Sequence, residues 1–361
     1  SVIKQTYSNW ELCLCDASED DLSVQTICAE YTLNEPRIVY LHLDSNMGIS
    51  ENTNACEKLA TGEYIALLDH DDFLMPDALA ENIRVINELH PDVIYSDEDH
   101  YSADHRHINP FFKPDWSPDL LYSQMYIGHL LLFRRRLFEM VGGFRKEYDG
   151  SQDYDLMLRM SEQTDNIYHI PLILYSWRES ENSTAANANA KPYAHDAGRQ
   201  ALDEHLKRKY GAQAYAADGP YTFVYDARFP ILADVLVSII IPMKDKWELT
   251  DSCVNSILKK STYSNFEIII LDNRSAEDET RSWLQSVEKE DTRIRVIQAD
   301  MEFNWSKINN FGVRNAKGDV YVFLNNDTLI ITPDWLERLC ENALRQEIGT
   351  VGALLKYEDE S

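Results

Sequence analysis

Short apolar runs alternate with longer amphipathic stretches along the chain. Residues 12–15, 38–43, 64–68 and 93–95 form brief, nearly continuous apolar runs. The segments between them, 21–31, 50–60 and 76–89, carry helical spacing, the last with Pro76 in its first turn. Apolar strands without polar alternation, each followed by a helix, predict an α/β fold with a mainly parallel sheet covered by helices on both faces. In such sheets ligands bind beyond the carboxyl ends of the strands. That rule points to Asp16, after the first run, and to Asp69-His70-Asp71-Asp72, after the third.

The pattern then repeats. Thr6-Tyr7-Ser8-Asn9-Trp10-Glu11 recurs 256 positions later as Thr262-Tyr263-Ser264-Asn265-Phe266-Glu267. At the same offset Asp16 falls on Asp272, Arg37-Ile38 on Arg293-Ile294, Asn54 on Asn310, Ala60 and Gly62 on Ala316 and Gly318, and Asp71 on Asp327. By Pro76-Asp77 and Pro333-Asp334 the offset has slipped by one. Such self-similarity predicts two copies of one unit, the first over 1–228 and the second over 229–361. Copy two opens with Val235-Leu236-Val237-Ser238-Ile239-Ile240-Ile241-Pro242, whose counterpart would precede Ser1. Copy one is therefore expected to lack its first strand, and copy two its back half. The absence of an initiator Met and the end at Ser361, just after an apolar segment, read the same way: both ends are cut points in a longer protein.

Composition narrows the classes. Length suits about two domains, and 61 acidic against 34 Lys and Arg residues give a net charge of −27. A surface this acidic argues against general nucleic-acid binding, which needs basic surface. The six cysteines, at 13, 15, 28, 56, 253 and 340, form no C-x-x-C pair, and Cys13 and Cys15 share one face of a strand. Buried free thiols suit a reducing compartment. No apolar run approaches the roughly 18 residues of a membrane span.

Asp69, Asp71 and Asp72 place three carboxylates within four residues of a strand end. They repel one another unless a cation or solvent screens them. Mg²⁺ and Mn²⁺ take oxygen ligands of this kind, often one or two carboxylates together with substrate phosphates. The plainer reading is a solvated acidic turn ahead of the helix near Pro76. The position after an apolar strand, and the copy at Asn325-Asn326-Asp327, favour the cation.

A family resemblance rests on these residues and others. Asn46-x-Gly48, Ala60-x-Gly62-Glu63-Tyr64-Ile65-x-x-Leu68-Asp69-x-Asp71-Asp72, Tyr95-Ser96-Asp97-Glu98-Asp99, Gly128-His129, Gly142-Gly143-Phe144, Gly150-Ser151-Gln152-Asp153-Tyr154-Asp155-Leu156 and Trp177-Arg178 resemble the inverting family-two glycosyltransferases with the GT-A fold. Val237-Ser238-Ile239-Ile240-Ile241-Pro242 and Leu271-Asp272 do so in copy two. The resemblance covers roughly 1–185 and 235–357. It implies that Asp16 and Asp272 contact the nucleotide, and that Asp69 and Asp71 form the D-x-D pair, Asp71 binding the metal that holds the donor diphosphate. Asp72 lies close by. Asp153 is implied as the catalytic base and Arg178 as a partner for phosphate oxygens. Asn325 and Asp327 take the donor and metal positions of copy two, whose base would lie beyond Ser361. The implied cofactor is Mn²⁺ or Mg²⁺, and the implied donor a UDP- or dTDP-linked sugar.

Asp97, His129 and Trp116 are acceptor or donor-pocket candidates, with a loop acid, a satisfied core histidine and a packing aromatic as the alternatives. Two departures stand out: Ser176 replaces a His frequent in the family, and the turn after Asp16 is shorter than that after Asp272. Residues 179–191 read as a loop, a flap over the donor by analogy, leading into a helix at 192–210. Asn182-Ser183-Thr184 matches a glycosylation sequon, discounted for a protein read as cytoplasmic. A strand is expected at 221–225, and a helix at 154–161 with Asp153 and Asp155 as acids in its first turn.

The functional expectation is a metal-dependent inverting glycosyltransferase in bacterial-type surface-polysaccharide synthesis, with a glycan or lipid-linked glycan acceptor, working in the cytoplasm or at the inner face of the cell membrane. Tandem copies suit addition of alternate sugars. The competing reading is a non-catalytic sugar-nucleotide or glycan-binding module. A dehydrogenase or kinase is disfavoured, because neither G-x-G-x-x-G nor G-x-x-x-x-G-K-[ST] occurs.

Overall fold

The computed structural model describes residues 1–18, 22–179, 192–231 and 235–357. These divide into two compact units, Ser1–Arg228 and Phe229–Ser361. The first unit runs β1 (Leu12–Asp16), α1 (Leu22–Asn34), β2 (Ile38–His42), α2 (Ile49–Glu57), β3 (Tyr64–Ala66), β4 (Phe73–Leu74), α3 (Ala78–Leu89), β5 (Val93–Tyr101), β6 (His107–Phe111), α4 (Pro118–Ser123), β7 (Leu131–Arg134), α5 (Arg135–Val141), α6 (Gln152–Ser161), β8 (Ile167–Arg178), α7 (Pro192–Tyr210), β9 (Tyr215–Asp218) and β10 (Tyr225–Arg228). The second runs β11 (Val237–Met243), α8 (Trp247–Lys260), β12 (Phe266–Asp272), α9 (Asp278–Glu290), β13 (Ile294–Gln298), α10 (Trp305–Asn315), β14 (Val320–Phe323) and α11 (Trp335–Ala343).

The second unit follows the sequence pattern closely. Its sheet has the order β13-β12-β11-β14, with every pairing parallel. β11 and β12 are buried along their whole length. Alternate residues serve opposite faces. Val237, Ile239, Ile241, Ile268 and Ile270 pack with Cys253, Val254, Trp283, Leu284 and Leu336 of α8, α9 and α11. Ile240, Ile269 and Leu271 pack with Ile308 of α10 on the other side. Two apolar faces explain why these strands show no polar alternation.

The first unit differs in its pairing. β1 and β2 form a separate two-stranded parallel sheet. The larger sheet has the order β3-β7-β5-β8-β4, with β6 on β5. Within it only β5 and β8 run parallel, and β3·β7, β5·β7, β4·β8 and β5·β6 are antiparallel. The expected mainly parallel sheet thus describes the second unit, while the larger sheet here is mixed. β7 lies antiparallel between β3 and β5, and β4 and β6 add two further antiparallel pairs. By the repeat, β1 and β3 match β12 and β14, which flank β11. Among the described residues β1 and β3 belong to separate sheets. α1 buries none of its residues, and Leu22 and Leu33 are exposed.

Other boundaries move. The strand expected at 93–95 extends to Tyr101, and that at 64–68 stops at Ala66. The strand expected at 221–225 begins only at Tyr225, where β10 pairs with β9. The loop, flap and sequon read over 179–191 lie, past Glu179, outside the described residues.

Candidate functional site

The turn after β3 carries the acidic cluster. Leu67 N–H donates to Leu131 O (3.1 Å), the last bond to β7, and Asp72 N–H then closes the turn on Asp69 O (3.2 Å). The same closure recurs in the second unit, where Thr328 N–H donates to Asn325 O (3.3 Å). The three carboxylates are not equivalent. Asp72 accepts from the Tyr175 hydroxyl on Oδ2 (2.6 Å) and from the Arg178 backbone N–H on Oδ1 (2.8 Å). It therefore ties the turn to β8. Burial raises its pKa and so do the charges of Asp71 and Asp69, against the lowering by those two hydrogen bonds. Asp69 and Asp71 are exposed at the strand end. Asp69 Oδ2 lies 3.8 Å from His129 Nε2.

His129 follows Gly128 and precedes β7, and its ring stacks on Tyr175 at 4.6 Å with a 16° interplanar angle. Trp177 lies against it at 5.1 Å. Its Nδ1 is buried without a hydrogen-bond partner. Tyr175 is thus a hub. It stacks under His129, donates to Asp72, and receives the Asp69 N–H (3.3 Å).

Asp153 stands in the first turn of α6. Its carboxylate accepts the Tyr154 N–H (2.8 Å). Part of its surface stays open, yet the surrounding protein raises its pKa. The Tyr154 N–H and the nearby His129 oppose that rise, and Asp69 adds to it. The helix below is fixed by Asp155, which receives Arg145 Nη2 (2.5 Å) and Arg159 Nη2 (2.6 Å). Asp69, His129, Asp72 and Asp153 therefore share one electrostatic environment, while Arg178 attaches to it through its backbone and keeps its side chain exposed.

Other candidates stand elsewhere or are engaged. Asp16 ends β1, and its hydrogen bonds do not reach the Asp69 turn. It accepts Ser18 N–H (2.9 Å), the Ser18 hydroxyl, Tyr40 OH (2.8 Å) and a His42 contact at 3.4 Å. Burial would raise this carboxylate, but those hydrogen bonds outweigh it and hold it at about 2. Asp97 is buried, its Oδ1 taken by His169 Nε2 (2.8 Å) and Lys113 N–H (2.9 Å). Ser176 is buried too, donating to Asp99 (2.5 Å). Trp116 is half-buried just ahead of α4. In the second unit Asp272 is buried at the end of β12, receiving Ser275 N–H (3.0 Å). Asn325 and Asp327 are exposed beyond β14.

Among the described residues no group of three or more His, Cys, Asp or Glu side chains is arranged to hold a metal. What Asp69 and Asp71 offer is narrower: two exposed carboxylates, suited to a cation whose remaining ligands are phosphate and water oxygens. Also among the described residues, no helix is long and apolar enough to cross a membrane. Tyr175 was passed over by the sequence reading, which weighed only Ser176 and Arg178 in that string. Its place opposite Leu74 in the β4·β8 register is a tertiary fact.

The family described as Glycosyl transferase family 2 matches residues 1–142 and 238–361. "Uncharacterized protein y4gI" of Sinorhizobium fredii is 43% identical over 363 residues, covering 99% of this chain and 40% of that protein. "O-antigen biosynthesis protein RfbC" of Myxococcus xanthus is 36% identical over 360 residues, covering 99% of this chain and 28% of that protein. The chain thus spans less than half the length of these two relatives. Among solved structures, S. aureus TarS 1-349 in complex with UDP-GlcNAc is 17% identical, with a TM-score of 0.46 over 57% of this chain and 60% of that one.

Proposed function

This chain belongs to glycosyl transferase family 2, and we propose that it moves a sugar, with inversion, from a UDP- or dTDP-linked donor to a glycan hydroxyl in the synthesis of a surface polysaccharide. The observation that carries this reading is the pairing of two exposed carboxylates, Asp69 and Asp71, with the raised carboxyl of Asp153 near them. The relative named for O-antigen biosynthesis supports the class of product.

The chemistry is one in-line displacement. The acceptor oxygen bonds to the anomeric carbon as the bond to the diphosphate oxygen breaks, and that oxygen keeps the electron pair. The acceptor proton goes to Asp153, and a raised pKa makes this carboxylate a better base near neutral pH. Asp71 and Asp69 would hold Mn²⁺ or Mg²⁺, which when bound supplies Lewis-acid stabilisation of the leaving diphosphate. His129 lies 3.8 Å from Asp69 and opposes the raised pKa of Asp153. Arg178 has an exposed guanidinium for phosphate oxygens. Asp16 orders the turn after β1 on the nucleotide side. In the second unit Asp272, Asn325 and Asp327 form the corresponding donor site. The place of work under this reading is the cytoplasm, at or near the inner face of the membrane.

Calorimetry with UDP and dTDP, with and without Mn²⁺, tests it on this chain and on Asp71→Ala and Asp327→Ala. Metal-dependent binding that falls stepwise in the two variants is the expected result. Silence of both nucleotides under every metal condition, here and in the full-length protein, overturns it and leaves the glycan-binding reading.

A further inference from the structure

Lys113 follows β6 in a loop, and its side chain is fully buried. An ammonium has three donors and no acceptor, and all three are used. Nζ donates to Glu98 Oε2 (3.0 Å), Ile127 O (2.5 Å) and His129 O (2.5 Å). Burial pulls the pKa of this amine down, and Glu98 opposes that. Glu98, on β5, accepts the His129 backbone N–H on the same Oε2 (2.7 Å). The two members of one buried ion pair therefore grip the N–H and the C=O of a single residue. Gly128 makes the approach possible: its φ is +50°, and a Cβ there would lie 2.7 Å from Glu98 Oε2. The Lys113 loop is itself pinned to β5, through Lys113 N–H on Asp97 (2.9 Å), and Tyr95 OH donates to Pro114 O (2.6 Å).

Isolated charges are buried only at high cost, and replacing such a pair with apolar residues is often neutral or stabilising. Its presence here calls for a reason beyond stability, and the atoms it touches supply one. We propose that the Lys113–Glu98 ion pair is the positioning device of the candidate site, fixing the backbone of His129 so that its imidazole stays stacked on Tyr175 and turned toward Asp69. Neither residue touches the acidic turn, so both are positioning residues and not catalytic ones. Their functional weight rests on the transferase reading above; the geometric claim does not.

The test follows the imidazole itself. Long-range ¹H–¹⁵N spectra of the histidine rings, with His129→Gln identifying the His129 signals, are recorded for the unaltered chain, Lys113→Met and Glu98→Gln. The expected result is displaced or broadened His129 signals in both variants, with those of His205, which lies on α7 and is buried against Glu162, unmoved. A merely structural pair would leave the His129 signals in place while lowering the melting temperature, and that outcome overturns the proposal. Should Lys113→Met fail to fold, Glu98→Gln, which keeps an oxygen acceptor, decides alone. Because no nucleotide is added, a failed binding experiment sinks the transferase reading and leaves this result standing.

Discussion

Replacing Asp155 by Asn tests whether α6, the helix that presents Asp153, is held by buried charge. Asp155 is 1% exposed and receives Arg145 through Nε (3.2 Å) and Nη2 (2.5 Å) and Arg159 through Nε (3.0 Å) and Nη2 (2.6 Å). The amide keeps the shape but loses the charge, and one of its ends now presents N–H groups to a guanidinium. Removing one partner of a buried ion pair costs roughly 3–5 kcal/mol. Relief exists on both sides. Arg159 keeps Val141 O (2.6 Å) and Gly143 O (2.7 Å), and Arg145 keeps Glu204 at 3.3 Å. The lower end, about 3 kcal/mol, is therefore expected. For a unit of this size that is a fall of roughly 6–12 °C in the midpoint of thermal unfolding followed by circular dichroism. Glu88→Gln, breaking the exposed pair with Arg84 (3.4 Å), is the control and is expected to move the midpoint by about 1–2 °C or less. A shift for Asp155→Asn no larger than the control's would refute the argument.

Tyr175→Phe removes the hydroxyl from Asp72 and Asp69 but keeps the ring under His129. Water can reach half-buried Asp72, so the expected loss is about 1 kcal/mol, a melting decrease of roughly 2–4 °C that largely vanishes in an Asp72→Asn background. Gly198→Ala sets a Cβ 2.1 Å from the Tyr225 hydroxyl, and the Tyr225 ring is held between Tyr154 (5.7 Å) and His195 (5.1 Å). A cost of roughly 1–3 kcal/mol is expected in urea unfolding, part of it recovered in the Gly198→Ala, Tyr225→Phe double variant. Acid should weaken the fold through Glu162. Burial raises this carboxyl, but His205 and Arg208 hydrogen bonds outweigh it and hold it at about 2. A depressed folded pKa gives stability that is present above the unfolded value and lost as pH falls from about 4.5 toward about 2. Unfolding free energies from urea titrations down that window should fall less steeply in Glu162→Gln, by roughly 1–2 kcal/mol after allowance for solvent screening.

The parts of the fold legible in the sequence are those whose burial is local in pattern. β12 reads as Phe266-Glu267-Ile268-Ile269-Ile270-Leu271-Asp272 because both faces of that strand meet helices. β1 is legible from its own apolar run, Leu12-Cys13-Leu14-Cys15, even though it is only partly buried. Helical spacing found α1, α2 and α3 of the first unit within a few residues, and the acidic turn stood out because nothing near it in sequence neutralises it.

What was not legible is β5 beyond Tyr95. Ser96-Asp97-Glu98-Asp99 has the composition of a surface loop, yet all four are buried strand residues. The strand continues because each carboxylate finds its partner on another element: Asp97 meets His169 of β8, Glu98 meets Lys113, and Asp99 meets Ser176 of β8 and His107 of β6 (2.8 Å). The sequence distances involved run from 8 to 77 residues, far outside any periodicity. A buried acid is costly unless paired, so the acids of β5 oblige β6, β8 and the Lys113 loop to come to it. The same division runs through the candidate site. Asp69 and Asp71 are exposed and announce themselves by residue type. Tyr175, Lys113 and Glu98 are buried and have meaning only through what they touch. A candidate site of this build offers its exposed groups to sequence reading and conceals the buried groups packed behind them, and substitution of the concealed set tests the geometry without removing an exposed carboxylate.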